Sequence, residues 1–144
     1  MAFTPGEELD AFIRAGRADE GAVVSFTGLV RDMALNDGLK ALTLEHYPGM
    51  TERQLIAIAD EALTRFGLHR CLVLHRYGRM SLREPIVFVA TSAAHRGSAF
   101  EAACFLMDWL KTKAPFWKLE ETAEGERWVD ARAEDDAAAA RWVS

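Results

Sequence analysis

Hydrophobic residues recur along this chain with two periods, and the points where the period changes divide it into elements. Leu9, Phe12 and Ile13 repeat at helical spacing behind Thr4-Pro5-Gly6-Glu7. Thr4 suits an N-cap, Pro5 the first helical position and Glu7 a capping box, so a short helix is predicted that ends near Gly16. Gly21–Arg31 is β-branched and apolar and predicts a strand, with Gly28 marking a bulge or a close backbone approach. Leu42, Leu44 and His46 alternate with Thr43 and Glu45, which makes Lys40–Tyr47 a second strand. Between them Asp32–Gly38 carries the turn signal Asn36-Asp37-Gly38, and the two strands are expected to pair through this loop.

Pro48-Gly49 breaks the second strand, and Thr51 with Gln54 predicts a capped helix. Leu55, Ile56, Ile58, Ala59, Ala62, Leu63 and Phe66 form its expected buried face, and Gly67 its stop. Arg70–Tyr77 reads as a strand, Gly78–Glu84 as a polar turn and Pro85–Ser92 as a strand whose unbroken apolar run predicts burial on both faces. A long helix over Ser98–Lys113 follows, with a stripe of Phe100, Ala103, Cys104, Met107 and Leu110 widened by Phe105, Leu106 and Trp109, and Pro115 stopping it. Phe116–Glu121 and Arg127–Val129 flank Glu124-Gly125 as a hairpin, and Ala133–Trp142 predicts a terminal helix. The pattern is α+β with a mixed sheet. Neither repeats nor a linker interrupt it, so residues 1–144 are read as a single domain.

Charge narrows the partners. The net charge is −5, which disfavours a broad nucleic-acid surface. Yet Ala94–Glu120 alone is +1, with Arg96, Lys111, Lys113 and Lys118 against Glu101, Asp108 and Glu120. A local cationic cluster in an acidic chain suits one small anion. The two cysteines, Cys71 and Cys104, form no CxxC arrangement, and no pair of the histidines has metal-site spacing, so neither a metal site nor a cofactor is expected. No stretch approaches a membrane span or a signal peptide, and a cytoplasmic protein is expected.

Among the candidate residues, His95-Arg96 precedes a helix, where free N–H groups, the dipole and a guanidinium fork favour an anion; a plain polar surface loop is the other reading. Lys111 and Lys113 suit a helix C-terminus on dipole grounds alone. Lys118 lies between Phe116-Trp117 and Leu119, where desolvation would make it a usable base, or it faces solvent. Arg31 alone reads as a surface charge, His46 and His75 as core or rim residues, and Cys104 as core. From His95 to Lys111 is about 24 Å of helix at ~1.5 Å per residue. Both ends cannot meet on one small ligand, so either there are two sites or one site is shared across a two-fold dimer.

In order, FTGLVR (Phe26–Arg31), LTLEHYPGMTE (Leu42–Glu52), HRYG (His75–Gly78), AHRGSAFEA (Ala94–Ala102), LKTKAPFWKLE (Leu110–Glu120) and GERWVDAR (Gly125–Arg132) resemble the catalytic (large) subunit family of molybdopterin synthase. The resemblance implies an α/β hammerhead with an additional antiparallel β-sheet. It implies a homodimer carrying a small ubiquitin-like sulfur-carrier subunit at each end, a heterotetramer in all. It implies a sulfurtransferase that moves sulfur from the carrier's C-terminal glycine thiocarboxylate to cyclic pyranopterin monophosphate, making the molybdopterin dithiolene of molybdenum cofactor biosynthesis. It implies Lys111 and Lys118 as catalytic residues and Leu29, Val30, Arg31, His95, Arg96, Lys111, Lys118, Leu119, Glu120 and Arg132 as substrate contacts. Two departures stand out: Leu29 where the family often has lysine, and a turn Arg79–Pro85 without the usual glycine. The rival reading is a binding module of the same fold that holds a phosphate ligand or a partner tail without turnover. A phosphate-ester hydrolase using His95 ranks below it, for want of a carboxylate or metal partner.

Overall fold

The structure is a computed structural model that describes residues 2–31, 41–46, 49–112, 116–122, 125–129, 140 and 142, and only the backbone of 46, 116–118, 120 and 127–129. The expected Asp32–Gly38 loop, Lys113, Pro115, Arg132 and most of the expected terminal helix lie outside the described residues. The order is α1 (Pro5–Arg14), β1 (Ala22–Leu29), β2 (Ala41–His46), α2 (Met50–Phe66), β3 (Arg70–His75), β4 (Gly78–Ser81), β5 (Pro85–Ala93), α3 (Arg96–Thr112), β6 (Phe116–Thr122) and β7 (Gly125–Val129).

The strands form two sheets, β1-β5-β3 and β4-β2-β6-β7, antiparallel at every pairing. The expectation of a mixed sheet is therefore corrected, and so is the pairing of β1 with β2. The apolar run of β5 explains why. Buried on both faces, it must lie centrally, and it takes β1 and β3 as its two neighbours. Val87 and Val89 face α2 and α3, while Phe88 and Ala90 face Phe12 of α1. The predicted polar turn Gly78–Glu84 also hides a strand. Four residues are too few to show a period, but β4 pairs with β2 and brings Met80 opposite Leu42 into a cluster with Val30 and Leu44.

Helix boundaries follow local chemistry less closely than expected. Thr4 is the N-cap of α1 but its hydroxyl makes no capping bond, the helix ends before Ala15, and Ile13 is 52% exposed. In α2 the cap is Gly49, whose N–H donates to the Glu52 carboxylate; Thr51 is buried within the first turn and does not cap. Ile56 of α2 is exposed, and Gly67 ends the helix in the left-handed region at φ 63° as predicted. The face that α3 buries is Ala99, Ala102, Ala103, Phe105, Leu106 and Leu110. Small residues let α3 approach the sheet, and Phe105 turns toward Phe66 of α2. Phe100 and Cys104 are therefore exposed, which corrects their assignment to the core. Among the described residues no helix is long and apolar enough to cross a membrane.

Candidate active site

Only Ala94 and His95 separate β5 from α3. A helix that begins so soon after a strand and packs on that strand must run back along it. The Thr91 hydroxyl fixes the start, donating to the Ala99 carbonyl at 2.8 Å. The C-terminus of α3 therefore comes to the Pro85 end of β5, where β1 also finishes, Leu29 lying opposite Pro85. The candidate residues consequently fall at two ends of the same layer.

At one end are Leu29, Val30, Arg31 and Lys111. The register of β1 shifts between Gly28 and Leu29, the bulge the glycine predicted, and a Cβ at Gly28 would stand 2.6 Å from Val87. Val30 joins the two sheets. Its N–H donates to the Glu84 carbonyl at 2.9 Å, its carbonyl accepts from the Arg83 N–H at 2.7 Å, and its side chain is buried with Leu42, Leu44 and Met80. Leu29 and Arg31 flank it on the exposed surface, and Lys111 is exposed in the last turn of α3. Strand β6 starts a few residues beyond that turn. It sets Lys118 opposite Leu44 and Val129, Leu119 opposite Thr43 and Trp128, and Glu120 opposite Leu42 and Arg127.

At the other end are His95 and Arg96, both exposed. The first turn of α3 holds no acid, so no carboxylate there offsets the positive end of the helix dipole, where Arg96 is exposed. The chain thus brings residues 29–31, Lys111 and 118–120 to one end, and keeps His95 and Arg96 roughly 24 Å away along α3.

Charge pairing divides the described cations into two groups. Arg14, Arg17, Arg70, Arg76 and Arg79 each hold a carboxylate within the chain. Among the described residues, His95, Arg96 and Lys111 hold none, and neither do Arg53, Arg65 and Arg83. Unpaired cations at a helix start and a helix end are open to an external anion. Burial pushes the Cys71 thiol up to about 11, which disfavours the thiolate.

Sequence reasoning passed over one ion pair close to His95. Arg70 donates to both oxygens of Glu20, at 2.6 and 2.7 Å, and this holds the Glu20 carboxyl down to about 2. Arg70 lies opposite Ser92, just before the turn that carries His95. The pair is 50 residues apart in the chain and no local period announces it.

Similarity to known proteins converges on one family. A family model described as MoaE protein matches residues 2–113. The molybdopterin synthase catalytic subunit of Escherichia coli K12 is 56% identical over 140 residues, covering 97% of this chain and 92% of that one. The molybdopterin biosynthesis MoaE protein from Burkholderia ambifaria superposes with a TM-score of 0.82 at 50% identity, over 100% of this chain and 95% of the other. A complex of subunits 1 and 2 of the molybdopterin-converting factor from Helicobacter pylori matches with a TM-score of 0.76, covering 91% of this chain and 87% of that one; at 20% identity it speaks to the fold alone. The arrangement of helices and two antiparallel sheets is the expected hammerhead with its additional sheet.

Proposed function

The chain belongs to the MoaE protein family, and from that premise we infer how its two separated ends work together. It is a catalytic subunit of molybdopterin synthase and catalyses a sulfurtransferase step of molybdenum cofactor biosynthesis. In our reading the substrates are cyclic pyranopterin monophosphate and the C-terminal thiocarboxylate of a small ubiquitin-like carrier subunit. The relatives are described as a catalytic subunit, which favours a further subunit as partner. Residues 1–144 act as one domain, within a homodimer that carries two carriers as a heterotetramer. Its place of action is the cytoplasm, which suits two cysteines that are free thiols.

One observation carries the two-chain site: the pattern on one flank of α3. Arg96, Phe100, Cys104 and Lys111 follow at i, i+4, i+8 and i+15, so they share a face. Cations stand at the two ends and exposed Phe100 and Cys104 between them. Such a face is self-complementary. Laid antiparallel on a second copy about a two-fold between Ala103 and Cys104, it covers its apolar centre and sets Arg96 opposite the other copy's Lys111. Two cations meet there only because an anion lies between them.

Each substrate is such an anion. His95, Arg96 and the α3 N-terminus of one copy hold the pterin phosphate. Arg31, Lys111, Lys118 and Arg132 of the other receive the thiocarboxylate beside exposed Leu29, with Leu119 and Glu120 next along β6 and with Val30 buried behind, its backbone bonded to Arg83 and Glu84. Lys111 offsets the thiocarboxylate charge and moves protons as sulfur attacks, and Lys118 assists when the cyclic phosphate opens. Arginine would hold an anion as firmly, but a lysine can pass a proton at neutral pH more readily.

Reconstitution tests the reading: the protein, a thiocarboxylated carrier and the cyclic pterin are mixed and dithiolene is measured. We expect turnover with the native chain and a loss on the order of 10² to 10⁴-fold in Lys111→Ala. Full activity in that variant would remove the role given to Lys111.

A further inference from the structure

The turn that presents His95 and Arg96 is held in place by three segments distant in sequence. The Gly21 N–H donates to the Ala93 carbonyl at 3.0 Å. A Cβ at Gly21 would stand inside van der Waals contact of the Ala94 carbonyl oxygen and 3.2 Å from its carbon. Its φ lies outside the left-handed region, so glycine is required here by space and not by conformation. Next to it, both carboxylate oxygens of Glu20 accept from Arg70, and Oε2 also accepts from the Arg17 N–H at 3.1 Å. Arg70 in turn donates to the Phe12 carbonyl at 2.7 Å and stacks 4.0 Å over the Phe12 ring. The His69 N–H donates to the Ser92 carbonyl at 2.8 Å. The end of α1, residues 17–21 and the start of β3 thus converge on the last residues of β5.

We propose that Gly21, braced by the Glu20–Arg70 pair, is the positioning element of the anion clamp: it seats the Ala94 carbonyl and so sets the direction in which His95 and Arg96 leave the sheet. The proposal rests on the clamp role given to His95 and Arg96 above. A part-buried ion pair is a poor device for stability alone, since the loss of hydration offsets much of its attraction. A bidentate pair fixes distance and angle, which an apolar contact does not. With two residues between β5 and α3, any shift of Ala94 is passed on to His95.

The test assigns Gly21 to one half of the shared site. A Gly21→Ala chain has to move Ala94 by about 1 Å, a displacement that costs on the order of 10²-fold in kcat/KM when it reaches a substrate-holding group. We expect the loss to fall mainly on KM for the cyclic pterin. Differently tagged chains are then co-purified as mixed dimers. Gly21→Ala with Lys111→Ala should regain one working site of two, because the first supplies intact lysines and the second an intact clamp. Gly21→Ala with His95→Ala should regain none. Restoration by His95→Ala, or by neither partner, overturns the proposal. The His95→Ala with Lys111→Ala pair is the control. If the control regains nothing, the shared site is wrong and this inference goes with it; if only the Gly21 pairs fail, the shared site stands and the inference alone is lost. Should Gly21→Ala not fold, Glu20→Gln and Arg70→Ala remove the brace without the collision, and a KM unchanged in both overturns the proposal equally.

Discussion

The clamp end and the lysine end of α3 are held in different ways. At the clamp end, backbone hydrogen bonds from Gly21 and His69, the Thr91 hydroxyl and a bidentate ion pair fix a two-residue turn before any ligand arrives. At the lysine end, two sheets meet through Val30, the strand bulges after Gly28 and Leu29 lies 38% exposed. The adjoining turn holds Arg83 at φ 73°, the non-glycine residue with positive φ among those described. The contrast teaches where rigidity is useful. A small rigid anion is best met by donors fixed in advance, while a flexible peptide tail needs an open edge onto which it can order.

The largest effect is expected from Lys111→Ala, which leaves folding intact because the side chain is exposed, yet abolishes most turnover; a thermal melt beside the dithiolene assay separates the two. Next is Arg70→Ala at the clamp end. It strands the Glu20 carboxylate in a nearly buried position, for which a loss of roughly 3 kcal/mol is expected in denaturant unfolding. A loss near zero would mean that the brace is loose.

Acid should act on the clamp end in a defined window. Glu20 is held at about 2 in the folded chain against an ordinary 4.5, so its folded pKa is depressed. Its contribution is therefore present above pH 4.5 and disappears as pH falls from there toward 2. Glu20→Gln should flatten that part of the acid-stability curve; an unchanged curve would mean that Glu20 is not held as described. The smallest effect lies at the lysine end. Arg83→Gly relieves a left-handed residue but frees the unfolded chain, for a net gain within about 1 kcal/mol and no change in KM for the pterin. Thiol labelling gives a check that needs no substitution: Cys104 should react and half-buried Cys71, raised to about 11, should not.

Much of the fold was legible because it follows from local pattern. The β5 run forecast burial on both faces, Gly28 a bulge or a close backbone approach and Gly67 a helix stop, and all three came from local pattern. What escaped was long-range. Phe100 and Cys104 read as core because helical spacing cannot say which flank a second helix will cover; α2 took the Phe105 side and left them exposed. Strand β4 escaped because its partner Leu42 lies far away along the chain. The pairing of β1 with β2 failed for the same reason, since adjacency in sequence was outweighed by burial of β5. For the candidate site, His95-Arg96 and the lysines were named from the sequence, the lysines through the family resemblance and not through their own surroundings, whereas the Glu20–Arg70 pair needed the register of β3 against β5 to be seen.

In the proposed dimer, one working site takes its clamp from one chain and its lysines from another. Mixed dimers of His95→Ala and Lys111→Ala chains test it most directly. Each variant alone should be nearly inactive, and the isolated mixed dimers should recover about half of the native rate, one site in two being whole. A mixture as inactive as its parents would contradict the account.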